Sequence, residues 1–343
     1  MNILVVGGGK MGLSHLAILS RVAGQSEVSL CDSSILRRFI FRRLNYKVFK
    51  SLHAALDSGV KWTGAVIATP TNSHYLLAKS LLERGIPCFI EKPLTLDPRK
   101  SQELMELRQQ NKLVTQVGLA ARFIAAFVKL RWIVESKVLG SPLRYEAHML
   151  GNVITKPDNN TWRTNFSQGG GCLNEYGPHL LDLCRYCFGD VDIIKSATAR
   201  HVFSTKADDA VDVSWSHKSG CNAEIFLNWC DASKRKAELA FTVEFEGGTV
   251  KASNMDVEVI LKEGCNPSPE LTERLFAPLL PHAVTYYLRG EEFTLQMEVF
   301  IESLTGRKIL IGDALPVGTA ATLEDGLEVD KLIHEIAVKV GLI

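Results

Sequence analysis

The chain of 343 residues is short of net charge, of long apolar runs and of cysteine. Lys and Arg number 39 against 38 Asp and Glu, so no overall field argues for nucleic acid or an acidic membrane as partner. No apolar stretch approaches the ~18 residues of a membrane span. Eight cysteines fall far below a disulfide scaffold. Met1-Asn2 has no basic leader region, and Ile3–Val6 runs straight into glycines, so an export signal is not expected. These absences point to the cytoplasm and reduced thiols. Internal repeats and low-complexity linkers are also missing. What is present is core-forming material: 46% of residues are hydrophobic and 22% charged. The length suggests about two domains, since single cores stop growing near ~250–300 residues.

The first third alternates short apolar runs with helical segments. Ile3–Val6, Glu27–Cys31, Ala65–Ala68, Pro87–Ile90 and Leu113–Val117 read as buried strands. Met11–Val22, Ser34–Leu44, His74–Arg84 and Pro98–Gln110 read as the helices between them. This order implies parallel βαβ units, a doubly wound Rossmann sheet occupying 1–118. After a helix at Phe123–Ser136 the pattern changes. Leu143–Leu150, Ile193–Phe203, Val211–His217, Ala223–Cys230 and Ala237–Phe245 read as half-buried strands, and Gly247-Gly248 as a hairpin turn toward Val257–Leu261. The expectation for 119–343 is an α+β domain with a large, mainly antiparallel sheet, one face open for oligomerisation. Helices at Phe293–Thr305 and about 322–340 close the chain.

Gly7, Gly9 and Gly12 form G-x-G-x-x-G between the first strand and first helix. In that setting Gly7 allows a tight turn, Gly9 admits a pyrophosphate and Gly12 lets helix pack on strand. The helix N-terminus would hold the anion. Asp32, twenty residues after Gly12, ends the second strand, where a carboxylate can accept the ribose hydroxyls of NAD. Arg37 and Arg38 follow, with Arg42 and Arg43 one turn later; they could clasp a 2′-phosphate, but a solvated helix face is the favoured reading. Asp32 would repel that phosphate, so NAD is the expected cofactor and NADP the alternative.

Two further segments carry chemistry. Glu91-Lys92-Pro93 ends an apolar strand, at the edge where open parallel sheets bind ligands, and Lys92 there can reach a substrate hydroxyl. Gly169-Gly170-Gly171 precedes Cys172-Leu173-Asn174-Glu175-Tyr176-Gly177-Pro178-His179, with Asp182 three residues on. The glycines suggest close approach of backbone to another surface. On a helix, Glu175, His179 and Asp182 would share a face. Pro178 either opens that helix or kinks it. Histidine suits proton transfer near neutral pH.

These residues together resemble the glucose–fructose oxidoreductase / inositol dehydrogenase (Gfo/Idh/MocA) family. The markers are Gly7–Gly12, Ala68-Thr69-Pro70 with His74, Glu91-Lys92-Pro93 and Gly169–Asp182, and the likeness spans nearly the whole chain. It implies hydride transfer between a nicotinamide and a ring carbon bearing a hydroxyl, on a sugar, polyol or nucleotide-linked sugar. It implies catalysis by Lys92, which holds the hydroxyl, and His179, which takes or returns its proton, with Glu175 where the family usually has Asp. The implied cofactor set is Gly7, Gly9, Lys10, Met11, Gly12, Asp32, Ser33, Arg37, Thr69, Pro70, Thr71, His74, Glu91 and Lys92. The implied substrate set is Arg122, Trp162, Arg163, Asn174, Glu175 and His179. A homodimer or homotetramer through the open sheet is implied as well. The segment Tyr287–Phe293, with Arg289, is similar to members acting on surface polysaccharides.

Cys184-x-x-Cys187 has half of a zinc spacing but lies in an apolar stripe, so it reads as core, and no metal is expected. Lys234-Arg235-Lys236 reads as a solvated turn rather than a nucleic-acid contact, and the sequons at Asn159 and Asn165 carry no weight in a cytoplasmic chain. The alternative to an enzyme is a nicotinamide-binding sensor on the same fold, since fold does not fix function.

Overall fold

A computed structural model describes residues 1–157, 161–265, 275–276, 288–307 and 318–343. The sequon residues Asn159 and Asn160, and Tyr287, lie outside them. The first sheet consists of β1 (Ile3–Val6), β2 (Val28–Cys31), β3 (Lys47–Phe49), β4 (Gly64–Ile67), β5 (Cys88–Ile90) and β6 (Thr115–Val117). All neighbours are parallel, in the order β3-β2-β1-β4-β5-β6, the doubly wound arrangement. Both faces are covered, which is why the central strands β1, β4 and β5 are continuously apolar instead of alternating. Leu4, Val6, Ala65, Ile67, Cys88 and Ile90 face one core; Ile3, Val5, Val28, Leu30, Val66 and Phe89 face the other. The helices α1 (Lys10–Leu19), α2 (Ile35–Arg43), α3 (Leu52–Leu56), α4 (His74–Leu82) and α5 (Pro98–Asn111) connect the strands.

β3 and α3 were not anticipated. Lys47-Val48-Phe49 is too short to show a period, and its edge position leaves it only half-buried. The first helix also ends earlier than Val22: at Ser20–Gly24 the chain widens into a π-turn, and Gly24 takes φ 98°.

After α6 (Ala125–Ser136) comes the second sheet. Its strands are β7 (Pro142–Leu150), β8 (Val191–Arg200), β9 (Ala210–His217), β10 (Asn222–Asn228), β11 (Glu238–Phe245), β12 (Gly248–Ser253), β13 (Asp256–Leu261) and β14 (Leu275–Phe276). The order is β14-β13-β12-β11-β7-β10-β9-β8, and only β7 and β10 are parallel. Between β7 and β8 lie the short α7 (Cys172–Glu175) and α8 (Gly177–Phe188). One sheet face is buried by alternation: Tyr145 and Ala147, Ile225 and Leu227, Val213 and Trp215, Phe241 and Val243. Phe127 of α6 packs edge-on to Phe241, and Phe188 of α8 stacks on Tyr145 at 4.1 Å. The opposite face carries Arg144, Glu146, Glu224, Phe226, Thr242 and Lys251, all exposed.

The chain divides into two compact units. Met1–Phe123 is joined by α9 (Glu291–Thr305) and by residues 319–330; the second unit begins at Ile124. Residues 291–305, read from sequence as part of the second domain, thus cluster with the first. The reason is apolar: Met297, Phe300 and Ile301 fill the core face built on Ile3 and Val5. Residues 319–330 include the first half of α10 (Leu323–Lys339).

Asp330 fastens α10 to the segment after β5. Its Oδ2 accepts the N–H of Thr95 at 2.9 Å and the hydroxyl of Ser101 at 2.6 Å. Burial pushes its carboxyl up to about 7, against the opposing pull of these donors. A carboxyl raised in the folded state binds its proton more tightly there than in the unfolded chain. The stability it contributes is complete below pH ~4 and declines as pH rises toward 7. Asp330→Asn should therefore narrow its melting-temperature difference from wild type between pH 5 and 8, measured by thermal denaturation; a difference independent of pH would exclude this titration.

Candidate active site

The glycine loop joins β1 to α1 as its spacing predicts. Gly7 takes φ 101°, and a Cβ there would press on the carbonyl of Ala68. A Cβ on Gly12 would collide with the Gly7 carbonyl oxygen, so helix and strand meet backbone to backbone. At Gly9 the space is different: nothing lies within 4 Å of an added Cβ. Gly9 is the N-cap of α1, with no side-chain cap and no acidic residue in the first turn. The N–H groups that open α1 therefore have neither an intrahelical acceptor nor a capping carboxylate, and they face room for an anion. This cradle fits a dinucleotide pyrophosphate. Lys10 is exposed beside it, and Arg289 reaches Met11, Nη1 to Sδ 3.1 Å.

Asp32 sits at the end of β2, buried. Its Oδ2 accepts the Gly8 N–H at 2.6 Å and meets Arg37 at 3.2 Å, while Oδ1 accepts the Ser34 N–H at 2.7 Å. Burial raises its pKa, but these donors outweigh burial and hold the carboxyl below its usual range. The acid is thus ionised and aimed at the glycine loop. Arg38 turns back onto the carbonyls of Asp32 and Ser33.

The loop after β4 places Thr69, Pro70 and Thr71 at the surface or half-buried. His74 has another position: it is buried, Nε2 lying 2.9 Å from the Thr69 carbonyl and Nδ1 3.0 Å from that of Pro93. It fastens this loop to the one that carries Lys92. Burial lowers its pKa despite the opposing effect of both carbonyls, so the ring is neutral and donates one of the two bonds at a time.

Glu91 is likewise buried. Its Oε1 pairs with Nε2 of His15 at 2.5 Å, and its Oε2 accepts the Lys92 N–H at 3.2 Å. Burial raises the Glu91 pKa; His15 and Lys92 more than reverse that, and the carboxyl lies below its usual range. Lys92 follows half-buried, before a cis peptide to Pro93. His15 was absent from the expected site. Its partner is 76 residues away, and a lone histidine in an apolar helix gives no local sign of that.

In the second unit the glycine run approaches its own chain. A Cβ on Gly170 would strike the backbone of Trp162 and Arg163, and the amide of Asn174 donates to the Gly170 carbonyl at 2.9 Å. Trp162 and Arg163 are exposed, with the guanidinium 4.6 Å from the ring centroid. Pro178 opens α8 rather than kinking one long helix, so Glu175 ends α7 and His179 lies in the first turn of α8. Along Cys172–Phe188, Glu175, His179, Arg185 and Tyr186 are half-buried and the other residues buried, the first pair at the start of the segment. Asp182 departs from the expected shared face; it is fully buried. Asp208 was also unforeseen: it accepts the Leu173 N–H at 2.7 Å and holds the start of α7. Burial pushes its carboxyl up to about 6, with that bond opposing.

Arg122 is buried in the first unit and both terminal nitrogens face Asp325, at 3.0 and 3.2 Å. Asp325 also accepts the Thr322 N–H while Thr322 accepts the Asp325 N–H, a capping box at the start of α10. That pairing accounts for the arginine in structural terms. Cys184 and Cys187 are buried and free.

A Rossmann unit with an open glycine cradle and an ionised acid at the end of β2 defines a dinucleotide-binding oxidoreductase. Residues 1–119 match the oxidoreductase family with NAD-binding Rossmann fold, and residues 127–251 match the GFO/IDH/MocA C-terminal domain. The chain belongs to the Gfo/Idh/MocA family. It is 26% identical to oxidoreductase P35 of Formosa agariphila over 65% of this chain and 70% of that one. It is 25% identical to inositol 2-dehydrogenase 1 of Paenarthrobacter aurescens over 99% of this chain and 97% of that one. The WlbA dehydrogenase of Bordetella pertussis, solved with NADH and UDP-GlcNAcA, shares the fold with a TM-score of 0.82 at 18% identity, over 99% of this chain and 95% of that one.

The cradle separates two glycine roles. Gly9→Ala should leave thermal stability within a degree or two while weakening dinucleotide binding about tenfold or more, because the new methyl enters the anion's space. Gly12→Ala should lower the melting temperature markedly. Equal effects of both on stability, read by thermal denaturation and nicotinamide fluorescence, would contradict this division.

Proposed function

We propose that the protein is an NAD-dependent dehydrogenase that moves a hydride between nicotinamide and a ring carbinol of a sugar, polyol or nucleotide-linked sugar. The observation that carries the reading is that Glu175 and His179 stay half-buried on a helical segment whose neighbouring residues are buried. Polar side chains left at the surface of an otherwise buried segment are suited to a ligand rather than a core. The name of the inositol 2-dehydrogenase relative and the UDP-GlcNAcA bound to the WlbA dehydrogenase suggest the substrate class.

When bound, the nicotinamide supplies the hydride acceptor or donor. The loop Gly7–Gly12 with Lys10 and Met11 would hold its pyrophosphate, and Asp32, with Ser33 beside it, its adenosine ribose. Thr69, Pro70, Thr71 and Lys92 would line the remainder. His74 and Glu91 act from behind, by fixing the backbone that presents these groups. In the oxidising direction the Lys92 ammonium favours the negative charge that grows on the substrate oxygen as C–H and O–H bonds break. His179 accepts the hydroxyl proton; in the reverse direction it returns it. Glu175 would orient the sugar. The stacked Trp162–Arg163 pair and Asn174 would lie toward the sugar or its activating group, the arginine suited to a phosphate or carboxylate.

The exposed sheet face supports assembly. Arg144 pairs bidentately with Glu244 and His148 with Glu238 across it, and Phe226 is exposed among them. A second copy would cover this face by a two-fold contact. All eight cysteines are free, which suits a reducing compartment, and among the described residues no helix is long and apolar enough to cross a membrane.

His179→Ala should lower turnover by about 10²–10⁴-fold, in steady-state assays of nicotinamide absorbance with polyols and UDP-sugars. A tenfold loss or less would remove it from proton transfer, and dinucleotide binding without turnover on any sugar would favour a sensor. Asp32→Ala should weaken NAD far more than NADP in titrations of both; the opposite order would mean that Asp32 does not read the ribose.

A further inference from the structure

The balanced charge of the chain conceals a local excess. Residues 33–56 contain six Arg and Lys and no Asp or Glu, which leaves −5 on the remainder against +1 overall. This basic stretch coincides with an unusual helix. A crossover helix of a doubly wound sheet normally turns its apolar side inward. In α2 the only buried side chain is Phe41, which joins the core face built on Ile3 and Val5. Ile35 and Leu36 are 77% and 68% exposed, Phe39 is 54% exposed, and Ile40 and Leu44 stand open beside them. These positions run i, i+1, i+4, i+5 and i+9, one continuous side of the helix. Arg43 lies over Phe39, 4.9 Å from the ring centroid, and Arg42 and Lys47 are exposed next to the stripe. Arg37 and Arg38 are turned toward Asp32, so the outward charge falls to Arg42, Arg43, Lys47 and Lys50.

We propose that α2 is a peripheral docking surface for an anionic lipid bilayer. The helix has nine residues, about 13 Å, less than half of a ~30 Å hydrocarbon core, so it lies along the interface and does not span it. Leu, Ile and Phe side chains enter the headgroup boundary, and the guanidinium groups meet lipid phosphates. The charge decides against a second copy of the chain. A two-fold contact through α2 would bring two copies of the same basic stretch into one interface, with no acidic residue in 33–56 to meet it. An anionic surface satisfies both components of the stripe. The balanced total charge had argued against an acidic membrane; the charge is segregated, and the segregated part is what a surface meets.

The test is flotation of the full chain with vesicles of phosphatidylcholine alone and of phosphatidylcholine with phosphatidylserine, at low and high salt. The wild type should float with the phosphatidylserine vesicles and much less with the neutral ones. Arg42→Gln with Arg43→Gln should weaken the partition roughly thirtyfold. Phe39→Glu should abolish it, while both variants keep the wild-type melting temperature and dinucleotide binding. The proposal is overturned if the wild type does not float, if it floats equally with neutral vesicles, or if neither variant changes its partition. Self-association in sedimentation that Phe39→Glu abolishes, with no vesicle binding, would assign the stripe to a second copy instead.

Discussion

The first unit is organised around one buried charge, that of Glu91. A carboxylate removed from water is tolerated only when paired and hydrogen-bonded, and the remedies come from two parts of the fold. His15 supplies the counter-partner from the helix whose first turn forms the anion cradle, and the Lys92 N–H supplies the second bond. Strand β6 runs so close beside it that Gly118 has no room for a side chain: a Cβ would lie 2.8 Å from Oε2. The glycine loop and the backbone of Lys92 are therefore referred to one common point. His74 adds a second fixture between Thr69 and Pro93. His74 and Glu91, expected at the cofactor, are thus found fixing the backbone of their neighbours.

The fold was legible where physics is local. Four-residue apolar runs buried on both faces announce a parallel sheet, and alternation in Leu239–Phe245 announces a sheet with one open side. The cradle could be read because each glycine answers to a steric demand within a few residues. Helical spacing proposed one face for Glu175, His179 and Asp182, but the chain starts a new helix at Gly177-Pro178 and buries Asp182. What escaped was long-range or marginal. The pairs His15–Glu91, Asp325–Arg122 and Asp208–Leu173 bridge 35 to 203 residues and obey no spacing. β3 is too short for a period to appear. The return of α9 to the first sheet was invisible because an amphipathic helix does not disclose which core it completes.

Composition does not report arrangement. A net charge of +1 describes a sum, whereas interactions respond to arrangement over about a Debye length, ~8–10 Å. Along α2 four arginines fall within seven residues, and the surrounding apolar groups are turned outward. Phe41 is the one buried side chain of the helix, and Arg37 and Arg38 tie its start to Asp32 and Ser33.

The place of α9 bears on the order in which the molecule is made. A ribosome delivers β1 to β6 first, yet the core face of Ile3, Val5, Val66 and Phe89 lacks Met297, Phe300 and Ile301 until α9 has emerged. Through most of synthesis, the second unit included, that face stays unfinished. The dinucleotide-binding unit is thus begun first and completed late, and the chain cannot mature strictly from its N-terminus to its C-terminus, one domain after the other.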